Sequence, residues 1–190
     1  MSGSRRLFVA VVPAAVVLDV VEAAVGPVRA ARPELRWVDR ERWHVTLAFL
    51  GEVPDDRRPD LCERLGRAAH RGRPLQLGID GAGRFGDRVL WARIAGHTDG
   101  LRRLAATTAA AARRARIPMQ GRPFRAHLTL ATARPAGSVR PATAELDALL
   151  RASGPVAGAV DRLCLVHSRL GAGSGGTPRH ETIAEWPLGS

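Results

Sequence analysis

One pattern, histidine-x-threonine-leucine, occurs twice in this chain, at residues 44–47 and 127–130, which begin 83 positions apart. Both copies lie in apolar, strand-like segments. Because successive side chains of a strand point to opposite faces, the histidine and threonine of each copy share one face, and the two apolar residues share the other. The sequence therefore predicts two strands that each bury one face in a core and present an imidazole and a hydroxyl on the other.

Hydrophobic periodicity predicts strands and helices that alternate along the chain. We predict strands at 6–12, 43–50 (ended by Gly51), 74–79, 88–94, 126–131, 161–168 and 179–186. We predict helices at 14–31, 59–71, 99–116 and about 142–152, a glycine-rich turn at 81–86 and a glycine-rich loop at 171–176. Several connections resemble hairpins, so we expect an antiparallel or mixed sheet and the α+β class.

The composition is that of a globular protein with a basic surface. Hydrophobic residues make up 45% of the 190 residues, and the 29 basic residues, all arginine, exceed the 18 acidic ones to give a net charge of +11. No apolar run approaches the roughly 18 residues that span a bilayer, and we expect a single cytoplasmic domain over residues 1–190. The charge favours a polyanionic partner such as nucleic acid.

The two cysteines carry no pattern of a metal or redox site. Cys62 and Cys164 lie among leucines and belong to no CxxC motif. We therefore expect both to be small buried hydrophobic residues in a reducing compartment.

The candidate functional residues are the polar members of the repeated motif: His44, Thr46, His127 and Thr129. An unperturbed imidazole titrates near pH 6.5, so a pair can act as acid and base near neutral pH. Threonine hydroxyls can donate hydrogen bonds to phosphoryl oxygens, and phosphoryl transfer depends mainly on positioning and charge stabilisation. If the two strands face each other across a cleft, the motif predicts acid–base chemistry on a phosphate.

A two-histidine zinc site is the competing interpretation of the same motif. It lacks a third ligand at a suitable spacing, and no acidic cluster accompanies the histidines to hold a divalent metal. The segment 171–176 is glycine-rich but lacks Gly-Lys-Ser/Thr, so it is not a P-loop. We expect neither a metal nor a cofactor.

The chain resembles the two-histidine (2H) phosphoesterases of the RNA 2′,3′-cyclic phosphodiesterase branch, also called 2′-5′ RNA ligase-like proteins. The resemblance rests on the two motifs in their sequence contexts and on the opening and final segments, namely residues 6–10, 36–38, 44–51, 123–130, 165–170 and 185–188.

That resemblance implies a bilobal fold with two antiparallel sheets around a cleft, and metal-independent opening of a 2′,3′-cyclic phosphate at an RNA end to a 2′-phosphate. It matches His44 to the proton donor for the leaving 3′ oxygen and His127 to the base that activates water. Thr46 and Thr129 match phosphate-binding hydroxyls, and Phe8 matches a position where an aromatic could stack on the base or ribose. The implied partner is a single-stranded RNA end, of tRNA or other origin, bound by a monomer without membrane contact.

Two positions depart from the family pattern. Where the family often has an arginine two residues after the second motif, this chain has Thr132, and Arg125 and Arg134 are the nearby candidates for that cation. Where the last strand of the family commonly carries a tyrosine, this chain has His180. Both departures bear on phosphate affinity and substrate preference, and His167 is a further candidate for substrate contact.

Two other functions would use the same residues or the same surface. Reversible 2′-5′ RNA ligation would use both histidines with a ribose 5′-hydroxyl in place of water, because microscopic reversibility requires the same groups. A non-catalytic RNA-binding module would need only the basic surface, and its function would survive replacement of both histidines. The repeated histidines and threonines favour the enzyme, since binding alone does not require paired acid–base groups.

Overall fold

The computed structural model describes residues 3–119, 121, 123–134, 137–171 and 178–189. The predicted glycine-rich loop at 171–176 lies, apart from Gly171, outside the described residues. The described strands and helices, in chain order, are β1 (Ser4–Val11), α1 (Ala15–Ala31), β2 (Arg36–Trp37), β3 (Val45–Pro54), α2 (Arg58–His70), β4 (Leu75–Phe85), β5 (Val89–Gly96), α3 (Thr98–Arg114), β6 (His127–Thr132), α4 (Arg140–Ala152), β7 (Ala157–Val160), β8 (Arg162–Arg169) and β9 (Arg179–Pro187).

The strands form two antiparallel sheets. Sheet 1 has the order β3-β1-β8-β9, and sheet 2 has the order β2-β6-β5-β4-β7. The predicted α+β class with antiparallel sheets is therefore confirmed. The first copy of the repeated motif runs into β3 of sheet 1, and the second opens β6 of sheet 2.

Side-chain alternation orients both motif strands as predicted. Val45 and Leu47 of β3, and Leu128 and Leu130 of β6, are buried in one continuous hydrophobic core. The opposite face of sheet 1 carries a separate small buried cluster formed by Phe8, Ala10, Cys164 and Val166. This second cluster lies beneath the candidate site described below.

The helices bury the faces that their periodicity indicated. In α3 the buried residues recur at helical spacing, as Leu101, Leu104, Ala105, Thr108, Ala111 and Ala112. Both α2 and α4 begin with a proline in the first turn, where the missing N–H would have no helical partner. No helix in the described ranges is long and apolar enough to cross a membrane.

Two predictions about glycine-rich segments were wrong. The strand predicted to end at Gly51 continues to Pro54, and Gly51 adopts a φ of 66° within it. The predicted turn at 81–86 is mostly the second half of β4, which continues to Phe85. Gly83 permits this because Trp91 of β5 crosses over it: a Cβ at residue 83 would lie 2.4 Å from the indole ring.

Three other differences concern short strands, strand ends and the burial of one cysteine. The strands β2 and β7, of two and four residues, were not predicted because such lengths carry no periodicity. The histidines were predicted inside strands, but His44 immediately precedes β3 and His127 is the first residue of β6. Both cysteines are free thiols; Cys164 is buried as predicted, whereas Cys62 is half-buried.

Candidate active site

Both motif histidines are held by the same local contact. The Nδ1 atom of His44 lies 2.6 Å from the carbonyl oxygen of Arg42, and Nδ1 of His127 lies 2.7 Å from the carbonyl oxygen of Arg125. A carbonyl only accepts, so Nδ1 donates in both rings. This fixes one tautomer and leaves Nε2 of each imidazole available to accept or release a proton.

The His44 ring rests on aromatic neighbours from sheet 1. It stacks on Phe8 with ring centroids 4.7 Å apart, and the ring of His180 lies edge-on to it with centroids 5.3 Å apart. Phe8 is only 4% exposed, so it supports His44 and offers little surface to a ligand. Its cross-strand partner Phe49 is 63% exposed and lines the same cleft.

The His127 ring is flanked by aromatic residues from β4 and β5. Its centroid lies 4.9 Å from that of Phe85 and 6.1 Å from that of Trp91, in edge-on arrangements. The sequence did not identify either residue as part of the site, because Phe85 lies in the predicted turn and Trp91 was predicted only as one residue of a strand. A signal was available in Gly83, since a glycine opposite a tryptophan on a neighbouring strand makes room for its ring.

The two threonines share the face of their histidines. Thr46 and Thr129 are half-buried, between fully buried neighbours that point into the core. In sheet 2, Thr129 and His127 pair with Trp91 and Arg93, alternate residues of β5 that lie on one face of the sheet. Each sheet therefore presents one imidazole and one hydroxyl on its site face.

The structure separates the two arginines predicted to supply the missing cation. The guanidinium carbon of Arg125 lies 5.9 Å from the centroid of Phe85, beside His127. Arg134 is exposed, two residues beyond the end of β6. Of the two, only Arg125 is shown in contact with a neighbour of His127.

A further arginine, which sequence reasoning did not single out, lies next to Thr132. Arg36 of β2 is the direct cross-strand partner of Thr132, and it is exposed. Thr132 pairs with Val89 on β5, two residues from the Trp91 that pairs with Thr129, so Thr132 is on the site face. Arg36 is thus the arginine that pairs directly with Thr132, the position where the family pattern has an arginine.

Arg42 connects the segment before β3 to the segment before β9. Its Nη1 donates to the carbonyl of Pro178 at 3.2 Å, and its Nη2 donates to the Asp39 carboxylate at 3.2 Å. Its side chain is mostly buried, with 16% exposure. Because its backbone carbonyl holds His44, Arg42 couples the orientation of that imidazole to the approach of β9, which carries His180.

The two histidines of the last strands face in different directions. His180 lines the cleft together with His44 and Phe8. His167 pairs with Leu7, whose side chain belongs to the main core. Because residues alternate, His167 lies on the face of sheet 1 away from the cleft.

Burial disfavours the protonated form of the three histidines near the site, His44, His127 and His180. The pKa of His44 is lowered to about 4, mainly by burial and also by the positive charges of His180, His127 and Arg42, and the hydrogen bond to the Arg42 carbonyl opposes this shift. Burial also lowers the pKa of His127, opposed by the Arg125 carbonyl. For His180, burial and then the charge of Arg42 lower the pKa.

The cleft next to His44 has a volume of about 420 Å³. Within the described residues, no group of three or more His, Cys, Asp or Glu side chains is arranged to hold a metal ion. The groups that the site does assemble are imidazoles, hydroxyls, guanidinium ions and aromatic rings, which suit an anionic ligand with an aromatic portion.

Comparison with known proteins assigns this arrangement to a family. The model of the 2′-5′ RNA ligase superfamily matches residues 17–172, and the chain belongs to that superfamily. A relative from Escherichia coli, named RNA 2′,3′-cyclic phosphodiesterase, is 35% identical over 68% of this chain and 73% of its own length. A Geobacillus stearothermophilus relative of the same name is 30% identical over 86% of this chain, which spans about half, 51%, of that relative's length.

Solved structures show the same fold. Escherichia coli LigT in apo form has a TM-score of 0.74 and 26% identity, and covers 99% of both chains. A Thermus thermophilus protein has a TM-score of 0.72 and 27% identity, and covers 97% of this chain and 98% of its own. The two-sheet architecture described above is therefore the two-histidine phosphoesterase fold.

The lowered pKa of His44 gives a first testable prediction. The folded pKa of about 4 lies below the ordinary 6.5, so the unfolded chain binds the proton more readily as pH falls. Neutral His44 therefore contributes to the free energy of unfolding. This contribution is complete above pH 6.5 and is lost between that pH and about 4, with a slope of at most about 1.4 kcal/mol per pH unit. We expect the His44 ring signals in an NMR titration to change near pH 4.

Denaturant unfolding of the wild type and His44→Gln across the same pH range supplies the control. As the pH falls from 6.5 to about 4, the unfolding free energy of the wild type should decrease relative to that of the variant, because the variant has no imidazole at residue 44. A His44 signal that titrates at or above its ordinary value would contradict the burial argument.

Proposed function

We propose that the protein hydrolyses 2′,3′-cyclic phosphate ends of RNA to 2′-phosphomonoesters without a metal ion. The observation that carries this proposal is the matched pair of imidazoles, one at the start of a strand in each sheet, each with Nδ1 held by a backbone carbonyl. The name RNA 2′,3′-cyclic phosphodiesterase of the curated relatives supports the substrate class.

In this proposal His127 is the general base. Its lowered pKa keeps Nε2 unprotonated near neutral pH, so Nε2 accepts a proton from water as the water oxygen bonds to phosphorus. The Arg125 carbonyl stabilises the imidazolium that forms, since it accepts the Nδ1 hydrogen bond more strongly from a charged ring. The edges of Phe85 and Trp91 hold the ring in place.

His44 is the general acid. As the bond between phosphorus and O3′ breaks, O3′ takes the proton from Nε2 of His44, which leaves a 3′-hydroxyl and a 2′-phosphate. A ring with a pKa of about 4 carries little charge near neutral pH in the free protein. The anionic phosphodiester raises that pKa on binding, because an opposite charge nearby favours the imidazolium. Proton exchange with solvent then restores both rings.

The remaining site residues bind the phosphate and the nucleoside. The hydroxyls of Thr46 and Thr129 donate to the non-bridging oxygens, and Arg125 supplies positive charge on the His127 side. Arg36, beside Thr132, is better placed for this role than Arg134, which lies beyond the strand.

The nucleobase stacks on Phe49 in this proposal, where sequence reasoning chose Phe8. The reason is exposure: the Phe49 ring is 63% exposed in the cleft, whereas the Phe8 ring is covered by His44. Phe8 thereby becomes a positioning residue for the acid, and Phe49 offers the open π-face that stacking requires.

The first test is hydrolysis of a short RNA with a 2′,3′-cyclic phosphate end in the presence of EDTA. We expect a product with a 2′-phosphate, and a fall in kcat of about 10²- to 10⁴-fold in His44→Ala and His127→Ala. Thr46→Ala and Thr129→Ala should cost less, about tenfold each, as expected for one hydrogen bond to a charged group.

His70→Ala is the matched control, because His70 is an exposed histidine at the end of α2 and it should retain wild-type turnover. Full activity of His127→Ala would refute the acid–base assignment. A ligated product with 5′-hydroxyl RNA would indicate the reverse reaction, and RNA binding without turnover, unchanged in the double histidine variant, would indicate a binding module.

The pH dependence of kcat/KM follows from the two pKa values of the free protein. The reaction requires a free protein in which His44 is protonated and His127 is neutral. We therefore expect kcat/KM to be greatest at a pH between about 4, the pKa of His44, and the pKa of His127, which is lowered below 6.5. The optimum of kcat should lie higher, because bound substrate raises the pKa of His44. Initial rates between about pH 3.5 and 8.5 measure both, and a kcat/KM optimum above about pH 7 would contradict the assignment.

The stacking role predicts a change in KM. Phe49→Ala should raise KM about tenfold and leave kcat little altered, because base–aromatic stacking contributes about 1–3 kcal/mol. Phe49→Trp should retain the wild-type KM. Leu149→Ala, at an exposed apolar residue of α4, is the control for loss of surface area. An unchanged KM in Phe49→Ala would exclude this ring as the stacking surface.

A further inference from the structure

We propose that the cleft contains a second anion subsite, formed by Arg6 with Ser168 and His180, which binds the phosphodiester that precedes the cyclic end of the RNA. This inference rests on the proposed function and extends it: the substrate is an oligonucleotide end, and a cyclic mononucleotide occupies only part of the site.

The strand register brings these three residues together. Phe8 of β1 faces the cleft, so Arg6, two residues earlier, lies on the same face. The ladder between β1 and β8 ends at the pair of Leu7 and His167. Continued by one step, the same register sets Ser168 opposite Arg6, and both residues line the cavity. Ser168 in turn pairs with His180 of β9. A guanidinium, a hydroxyl and an imidazole therefore lie side by side on three adjacent strands, and all three line the cavity that contains His44.

The charge of Arg6 is available to a ligand. Among the described residues, no carboxylate lies within 4.0 Å of its guanidinium. Its cross-strand partner Glu52 accepts a hydrogen bond from the Ser4 hydroxyl at 3.1 Å. The neighbouring Arg5 differs, because it forms an ion pair with Asp55 at 3.8 Å. An exposed arginine that lies in a cleft and has no acidic partner among the described residues is suited to a phosphate, which it can bind through two parallel hydrogen bonds.

An apolar wall lies in the same cavity. Phe49 and Leu170 are 63% and 65% exposed, and both line the cavity together with His44 and Arg6. An exposed apolar patch of this kind marks a binding surface. The cavity thus offers an acid–base group for one phosphate, an aromatic surface for a nucleoside, and a separate cation. These are the components of an RNA end that continues to a second phosphate.

The experiment compares two substrates: adenosine 2′,3′-cyclic phosphate and the dinucleotide that has the same cyclic end and one internal phosphodiester. The wild type should have the higher kcat/KM for the dinucleotide. In Arg6→Gln the ratio of the two kcat/KM values should fall about tenfold, the loss of one charge-assisted contact. Arg5→Gln, which removes an equal charge from the adjacent residue, should retain the wild-type ratio. His180 is unsuitable for this test, because its ring also contacts His44.

The outcomes separate the subsite from the chemistry. An unchanged ratio in Arg6→Gln, or an equal fall in Arg5→Gln, would overturn the subsite even if hydrolysis is confirmed. If the wild type opens neither substrate, the proposed chemistry fails, and equilibrium binding of the linear dinucleotide 2′-phosphate then tests the subsite alone. Weaker binding in Arg6→Gln than in Arg5→Gln would support it, and equal binding would overturn it.

Discussion

Alternation of side chains along β3 and β6 is the constraint on which the site depends. Val45, Leu47, Leu128 and Leu130 are buried in the main core, and full burial of each such side chain contributes about 1.5–3 kcal/mol. A slip of one residue in either strand would expose these groups and turn the histidine and threonine into the core. The free energy of the core therefore orients the polar pair, although no core atom takes part in the proposed chemistry.

The local contact of each histidine then prepares it for proton transfer. A backbone carbonyl two residues earlier fixes the tautomer of both rings, and burial among aromatic residues favours the neutral form. A neutral ring is the form in which His127 can act as a base. His44 can act as an acid only after it is protonated, and an anion bound beside it favours that protonation, so the charge of His44 depends on whether a phosphodiester is bound. The aromatic support of Phe8 and the buried guanidinium of Arg42 make that coupling depend on β1 and β9 as well as on the motif.

Local pattern explains both the successes and the errors of sequence reasoning. The apolar positions of α1, α2, α3 and α4 recur at helical spacing, so these helices were located to within two residues. The predictions at Gly51 and in the segment 81–86 were wrong because glycine usually indicates a turn or the end of a strand. Gly83 instead accommodates the Trp91 ring within a strand. Phe85 could not be identified as a neighbour of His127, because strands β4, β5 and β6 meet only through long-range pairing.

The sequence by itself determined the class of the fold. It also identified the two histidines and two threonines as candidate functional residues, and it predicted that each histidine shares a strand face with its threonine. These properties follow from residue type and from the period of two along a strand. Only the tertiary structure decided that Phe49, and not Phe8, presents an open ring, that Arg36 lies beside Thr132, and that Arg6, Ser168 and His180 form one row. These relations depend on which strands are neighbours and in what register, and pairing between strands far apart in the chain leaves no periodic pattern in the sequence of either strand.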